Sequence, residues 1–391
     1  MLTSFAVIFL SGIMFSYIAR KLKLPGLIGM ILAGILVGPS VWNQIDVSVL
    51  AIAPSLRQFA LVIILTRAGL SLDIHALKKV GRPAFFMCFL PACFEIGGAV
   101  LIAPCLLGVS YLEAAIIGSV IAAVSPAVIV PRMIHLIEEG YGNKRSIPQL
   151  ILAGASVDDV FVIVLFTAFT ALESKAFVSA MEFVAIPVSI VLGVVVGYVA
   201  ARLLEILFDV VSLTSVQKLL VVLSTSFLMI ELENQLKGIV PVSGLLAIMS
   251  IGLTFYQRKP ELAKELAGKY NELWAAGEIL LFVLVGVAVD LEYVKAAGVM
   301  AVLLVLGALV FRMAGVFFCV AGTSLTFKER LFCMIAYTPK ATVQAAIGAV
   351  PLAIHLECGK TVFTVAVLSI LITAPFGAIC IDASYKRLLE K

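Results

Sequence analysis

The sequence predicts an all-α polytopic membrane protein, and three observations indicate this fold class. The chain of 391 residues is 62% hydrophobic and 13% charged, with a mean hydropathy of +1.15, whereas about 25% of a soluble domain is charged. Its apolar stretches are long and continuous, and about 20 apolar residues in a helix cross a bilayer core. They lack the two-residue alternation of a membrane barrel. Because only helices and closed barrels span lipid, helices are predicted.

Thirteen apolar segments are predicted to cross the membrane, with too little sequence between them for a soluble domain. Residues 1–391 are therefore expected to form a single transmembrane unit. The longest polar stretch, 256–272, is interpreted as a connector. The predicted spans lie near 2–20, 26–42, 50–73, 82–108, 111–136, 147–172, 183–208, 215–232, 239–256, 272–291, 296–322, 328–353 and 361–385.

The charges between the spans predict the orientation. Basic residues cluster after odd-numbered spans, as at Lys21, Lys79, Arg145, Lys328 and Arg387, and are sparse after most even-numbered spans. Loops rich in Lys and Arg stay in the cytoplasm. We therefore expect an integral protein of the cell (inner) membrane, with its N-terminus outside and its C-terminus in the cytoplasm.

Two pairs of motifs indicate an inverted repeat. Spans 3 and 10 both end in Gly-x-x-x-Asp, at 69–73 and 286–290, which are 217 residues apart. Spans 5 and 12 carry Ser125-Pro126 and Thr338-Pro339, which are 213 apart. A shift of seven spans reverses direction across the membrane, so spans 1–6 are predicted to be related to spans 8–13 with span 7 as linker. Chance is the alternative, because Gly and Pro are common in membrane helices.

The prolines of spans 5 and 12 predict broken helices. Pro126 and Pro131 are expected to break span 5, and Pro339 and Gly348 to break span 12. Inverted repeats with such a matched pair of broken helices are typical of secondary transporters, whose substrate binds beside the breaks. An ordinary proline kink is the alternative for each span.

Five ionisable residues are expected to lie deep within spans: Glu95, Asp158, Asp159, Arg312 and Lys340. A charge at the centre of a spanning helix costs a few kcal/mol or more, so each residue is a candidate for function. Glu95 and Arg312 are opposite in sign and 217 residues apart. A structural salt bridge between spans 4 and 11 is an equally weighted interpretation of that pair.

The adjacent aspartates of "GASVDDV" indicate ion exchange. Neighbouring side chains on a helix point about 100° apart, so one can face a basic residue while the other faces a cavity. Burial and the neighbouring charge both favour protonation of each carboxyl group. When ionised, the same oxygens suit a hard cation such as Na⁺ or Li⁺. A site that holds either a cation or a proton couples the movement of the two.

The predicted function is thus secondary active sodium(lithium)/proton antiport, without a cofactor. A potassium/proton antiporter or an anion symporter on a similar fold is the alternative among transporters. From a different class, a cation channel or a membrane sensor is the alternative, although no selectivity-filter pattern is visible. No catalytic or nucleotide motif indicates an enzyme, and no basic patch indicates a nucleic-acid partner.

Three motifs together resemble the cation:proton antiporter superfamily, and most closely its NHA-type sodium/proton antiporters. They are "GASVDDV" at 154–160, "VSPAVIVP" at 124–131 and "TPKATVQAAIG" at 338–348. The resemblance covers almost the whole chain. It implies a homodimer that works by elevator-type alternating access. The implied ion-translocating core helices lie at about 50–172 and 272–385, and the implied dimerisation helices at about 2–42 and 183–256.

The resemblance also implies the roles of the buried charges. Asp159 is the expected cation and proton carrier, with Asp158 beside it. Arg312 matches the basic residue that faces the aspartates, Glu95 its acidic partner, and Lys340 the basic residue of the second broken helix. The supporting polar residues are expected to be Ser125, Ser156 and Thr338.

One departure leaves the electrical balance of exchange open. Many bacterial relatives carry an acid just before the proline of the first broken helix, where this chain has Ser125. The positive ends of the broken helices must then be compensated by another residue. Electrogenic exchange of two protons per sodium and electroneutral exchange are both compatible with the sequence.

Overall fold

The computed structural model describes residues 1–71, 81–173, 180–236 and 240–391, with the side chains of residues 156 and 180–187 excluded. The described residues form α-helices joined by short connections, and no β-strand occurs among them. The helices are α1 (Leu2–Lys21), α2 (Gly26–Val37), α3 (Val47–Leu70), α4 (Arg82–Met87), α5 (Leu90–Leu107), α6 (Tyr111–Ala122), α7 (Pro126–Glu139), α8 (Ile147–Glu173), α9 (Ala180–Val210), α10 (Ser215–Leu236), α11 (Gly244–Arg258), α12 (Pro260–Val287), α13 (Leu291–Val320), α14 (Phe327–Ala336), α15 (Thr342–Ile347), α16 (Val350–Ala353) and α17 (Gly359–Leu388).

Each predicted span coincides with one helix or with a run of consecutive shorter helices. Within the described ranges, ten helical segments are long and apolar enough to cross a membrane, and two shorter apolar helices cover Gly26–Val37 and Thr342–Ala353. The stretch 256–272 is not a simple connector, because α12 begins at Pro260 and runs on without a break to Val287. Proline suits the first turn of a helix, where its missing N–H would have no partner.

The described residues cluster into two compact units. The first is drawn from the described parts of Met1–Arg57, Ile74–Glu173 and Ile279–Lys391, and it contains every candidate site residue. The second is drawn from Gln58–Asp73 and Ser174–Glu278. Helices α3 and α12 each contribute one end to each unit.

Spans 5 and 12 are both interrupted. Span 5 consists of α6 and α7, separated by residues 123–125, and span 12 has a break between Ala336 and Thr342. The first break ends just before Pro126, whereas Pro131 lies inside α7 and does not interrupt it. Both broken spans also start alike, because α6 and α14 each begin with a reciprocal Ser/Thr–Glu capping box. Such a box satisfies two orphan backbone N–H groups of the first turn.

Helices α5 and α13 pack along each other through a matched pair of contacts. A Cβ at Gly98 would lie 2.6 Å from the Phe311 ring, and one at Gly315 would lie 3.1 Å from the Phe94 side chain. Gly98 and Gly315 are 217 residues apart, and so are Phe94 and Phe311. The contact therefore looks the same from either helix, which is the relation that an inverted repeat requires.

Two glycine crossings, one within each unit, follow the same offset. A Cβ at Gly34 would collide with the Val283 carbonyl and approach Gly286. In the other unit, one at Gly69 would collide with the Met249 carbonyl and approach Gly252. Gly34 and Gly252 are 218 residues apart, and Gly69 and Gly286 are 217 apart. These pairs support the predicted repeat; Asp73 of its motif lies outside the described residues.

Candidate functional site

The two helix breaks lie against each other and are joined by hydrogen bonds. The backbone N–H of Ser125 donates to the Pro339 carbonyl at 2.8 Å. The side chain of Gln344 makes a second connection, since its Nε2 donates to the Ala123 carbonyl at 2.7 Å while its Oε1 accepts the Ala341 N–H at 2.8 Å. Breaking a helix in lipid frees polar backbone groups that must find partners inside the protein. Here the two breaks supply partners to each other.

Arg312 of α13 caps two half-helices at once. Its side chain is fully buried. Its Nε donates to the Tyr337 carbonyl at 2.7 Å, and its Nη1 donates to the Ala122 carbonyl. Tyr337 follows the last residue of α14, and Ala122 is the last residue of α6. The guanidinium therefore compensates the negative carbonyl ends of both halves.

The same guanidinium is the centre of a buried ionic cluster. It lies 3.0 Å from Glu95 Oε2 through Nη1 and 2.9 Å from Asp158 Oδ2 through Nη2. Lys340 Nζ lies 2.7 Å and 2.8 Å from the two oxygens of Glu95. All four side chains have no exposed surface. Two acids and two bases give a cluster without formal net charge, which limits the cost of burying each member.

Asp158 compensates the positive end of α7. Besides Arg312, its Oδ2 accepts the backbone N–H of Val124 at 2.8 Å, just before α7 begins at Pro126. A carboxylate at the start of a helix is stabilised by the exposed N–H groups there. Residues 123–125 of the break include no acid, and the Asp158 carboxylate reaches that helix end from α8.

Asp159 stands apart from this cluster. It makes no ion pair among the described residues, and unlike Asp158 it is partly exposed. Its Oδ1 is buried and has no hydrogen-bond partner in the described structure. Asp158 Oδ1 and the Ser125 hydroxyl are buried without a partner in the same way. The two aspartates and Ser125 thus each carry one buried oxygen without a partner in the described structure, and oxygen is the donor that a hard cation prefers.

The remaining predicted site residues lie in different environments. The Thr338 hydroxyl is buried but donates to the Ile335 carbonyl at 2.8 Å, so it is used within its own turn. Lys340 is held by its backbone as well as its ammonium, because its N–H donates to Thr373 Oγ1 at 3.0 Å. The side chain of Ser156 lies outside the described structure.

Sequence reasoning missed several polar residues inside the spans. The predicted site residues do not include Gln344 and Tyr337, although Gln344 lies three residues after Ala341, which is the spacing of a capping residue. Arg57 of α3 is also buried, and its Nη1 donates to the Leu284 carbonyl at 3.3 Å. Arg67 and Glu278 lie within α3 and α12. The list of five deep ionisable residues omits these three, because a span of high mean hydropathy can still contain single charges.

A family model and several known proteins match almost the whole chain. The family model described as "Sodium/hydrogen exchanger, transmembrane" matches residues 5–383. Sodium/hydrogen exchanger 9B2 of Homo sapiens is 35% identical over 388 residues, which cover 94% of this chain and 70% of the relative. Sodium/hydrogen exchanger 9B1 of Mus musculus is 34% identical over 389 residues, which cover 94% of this chain and 66% of the relative.

A solved structure shares the fold. The sodium proton antiporter MjNhaP1 from Methanocaldococcus jannaschii, solved at pH 8, aligns with a TM-score of 0.83 at 20% sequence identity. The alignment covers 99% of this chain and 98% of that chain. At this identity the likeness concerns the arrangement of the helices alone.

Proposed function

The chain belongs to the sodium/hydrogen exchanger family of integral membrane cation/proton antiporters, and we propose that it exchanges Na⁺ or Li⁺ for H⁺ at Asp159, with Asp158 beside it. The single observation that carries this proposal is the contrast between the two aspartates. Asp158 is neutralised by Arg312, whereas Asp159 has no ion-pair partner among the described residues. The site therefore carries one negative charge that a cation or a proton can neutralise.

The competition between cation and proton follows from this balance. An ionised carboxylate without a counter-charge is costly inside a membrane, so an empty and ionised Asp159 is unfavourable. A proton removes the charge, and a sodium ion compensates it with the help of neighbouring oxygens. Asp158 Oδ1 and Ser125 Oγ are the oxygens proposed for this role, because both are buried without a partner and the bond from the Val124 N–H to Asp158 Oδ2 at 2.8 Å holds Asp158 against the break that carries Ser125. Binding of one ion displaces the other.

The hydrogen bonds between the two breaks favour an elevator-type movement. Arg312 and Gln344 tie both breaks together, and the bond from Ser125 to Pro339 joins their backbones. Opening such a site by separating its halves would break several buried hydrogen bonds, whereas moving it as one body would keep them. We propose core helices at about 50–172 and 272–385. They would move against dimerisation helices at about 2–42 and 183–256 in a homodimer.

The proposed domains differ from the compact units, in which residues 1–57 group with the helices that carry the site. We also propose an N-terminus outside and a C-terminus in the cytoplasm of the cell (inner) membrane, which follows from the loop charges. The transported ions are then the monovalent cation and H⁺, without a cofactor.

The test is exchange in proteoliposomes that hold purified protein and a pH-sensitive dye inside. After a pH gradient is imposed, addition of Na⁺ or Li⁺ should collapse it at a rate that saturates with cation concentration. Asp159→Asn should abolish the signal, because the amide neither ionises nor carries a proton. The matched control is Asp209→Asn, since Asp209 is an exposed partner of Lys259 in the second unit.

Three outcomes would change the assignment. Normal exchange by the Asp159→Asn protein would contradict the site. A response to K⁺ that exceeds the response to Na⁺ and Li⁺ would indicate the potassium antiporter instead. A cation current without proton movement would indicate a channel.

A further inference from the structure

We propose that Tyr337 is a positioning residue, which holds the Arg312 guanidinium against Asp158 and so leaves Asp159 as the carboxylate that exchanges ions. The inference rests on the proposed function. It concerns a residue that no motif singled out, in the break that follows α14. Tyr337 has no exposed surface.

The ring of Tyr337 is a platform for the guanidinium. Arg312 Cζ lies 5.0 Å from the ring centroid, within the range of a cation–π contact. Arg312 must point at Glu95, Asp158 and two carbonyls at once, which requires one orientation of a long side chain. A flat ring against the planar guanidinium restricts its tilt. The bond from Arg312 Nε to the Tyr337 carbonyl fixes only one corner of the group.

The phenol end of Tyr337 is anchored elsewhere. Its hydroxyl donates to the Met87 carbonyl at 3.1 Å, at the end of α4. The Tyr337 side chain also lies against Gly154 of α8. A Cβ at Gly154 would lie 2.6 Å from the Tyr337 hydroxyl oxygen and 2.8 Å from Met87 Cβ. Gly154 is one helical turn before Asp158. The side chain therefore connects α4, α8 and α13 at the level of the ionic cluster.

Loss of the ring should change the charge balance of the site. The charged groups around the Arg312 guanidinium of α13 are Glu95 of α5, Asp158 and Asp159 of α8 and Lys340 of the second break. The Cys88 and Cys319 thiols also lie near the Tyr337 ring. If the guanidinium tilts away, the aspartates lose part of their compensation. A more negative site binds protons more tightly. Protons then compete with sodium up to a higher pH.

The experiment measures sodium/proton exchange against pH in proteoliposomes for the native protein, Tyr337→Leu and Tyr337→Phe. We expect Tyr337→Leu to shift the acid-side midpoint of the profile upward by roughly half to one pH unit, or about three- to tenfold in proton affinity. Tyr337→Phe keeps the ring and loses only the bond to Met87, so its midpoint should stay at the native value. A merely structural role would lower the rate at every pH and leave the midpoint in place.

A second variant covers the case in which Tyr337→Leu does not fold. Gly154→Ala places a methyl group against the phenol oxygen and should displace the ring, which gives an upward shift of the same sign. Tyr337→Phe in the Gly154→Ala background removes the clashing oxygen and should restore part of that shift. Thermal unfolding in detergent reports folding for every variant.

The two proposals fail in different ways. If the native protein shows no exchange, the proposed function is wrong. If the native protein exchanges sodium for protons while Tyr337→Leu and Gly154→Ala keep the native midpoint, the positioning role is wrong and the function stands.

Discussion

Glu95 and Arg312 face each other at 3.0 Å, and they are 217 residues apart, which is the offset between the matched glycines and phenylalanines of α5 and α13. The same turn of α5 and α13 carries an acid in one half and a base in the other. The matched contacts of Gly98 with Phe311 and of Gly315 with Phe94 bring residues 217 apart close to each other. A like-charged pair at this point would repel, so opposite charges at this position favour the packing of α5 along α13.

Replacing Glu95 tests the charge balance. Glu95→Gln leaves Arg312 and Lys340 with Asp158 alone, so the cluster gains one positive charge. Removing one partner of a buried ion pair costs about 3–5 kcal/mol, and the added charge repels the transported cation. We expect at least a tenfold rise in the sodium concentration for half-maximal exchange. The double variant Glu95→Gln with Lys340→Met restores neutrality and should recover most of the affinity; an unchanged defect in the double variant would argue against electrostatics.

The Ser125 hydroxyl is expected to contribute to cation binding. Ser125→Ala removes the Ser125 oxygen, which is buried without a partner like one oxygen each of Asp158 and Asp159. We expect the sodium affinity to fall by about three- to tenfold, as for loss of one hydrogen-bond-sized contact, with little change in folding. Ser119→Ala is the matched control, because that buried hydroxyl donates to the Ile116 carbonyl within α6. Equal effects of the two variants would assign Ser125 to packing.

Gln344 is expected to hold the two breaks together. Gln344→Met keeps the volume but leaves the Ala123 carbonyl and the Ala341 N–H without this partner. A buried polar group that loses its partner costs about 1–3 kcal/mol. We expect a lower unfolding temperature by several degrees and strongly reduced exchange. The control is Gln235→Met, at an exposed position of α10, which should change neither the unfolding temperature nor the exchange rate. A stable and active Gln344→Met protein would show that the Gln344 hydrogen bonds are not needed to join the two breaks.

The dependence of sodium affinity on pH should reveal a shared site. Protons and sodium compete for Asp159. The apparent sodium KM is therefore expected to rise about tenfold for each unit by which the pH falls below the value at which half of the empty sites carry a proton. Above that pH the apparent KM should be constant, and saturating sodium should restore the maximal rate. A maximal rate that falls with pH at every sodium concentration would indicate separate sites.

The close helix crossing at Gly286 is expected to tolerate no side chain. A Cβ at Gly286 would collide with the Ile31 carbonyl of α2, so Gly286→Ala must separate the helices. We expect a fall of several degrees in the unfolding temperature. Gly268→Ala, on α12 where a Cβ meets nothing within 4 Å, should be neutral or slightly stabilising, because alanine favours a helix over glycine. Similar values for both variants would contradict the close-packing interpretation.

Much of the fold was predictable from local patterns. Long apolar runs located the helices, and the pairs Ser125-Pro126 and Thr338-Pro339 indicated the two breaks, because proline removes an N–H donor that a continuous helix needs. Pro131 shows the limit of this reasoning. It lies in the second turn of α7, where its missing N–H removes one bond, to the Ala127 carbonyl, and the helix nevertheless continues through it.

The sequence by itself determined that this chain spans a membrane and that a few buried charges must find partners there, because lipid offers none. It could not determine which aspartate is neutralised. Asp158 and Asp159 have the same chemistry and nearly the same position in the chain. Only the tertiary structure brings Arg312 and the Val124 N–H, from distant segments, to one carboxylate while the other turns about 100° away on the helix. Long-range contacts thus give different environments to two residues that the local sequence pattern does not distinguish.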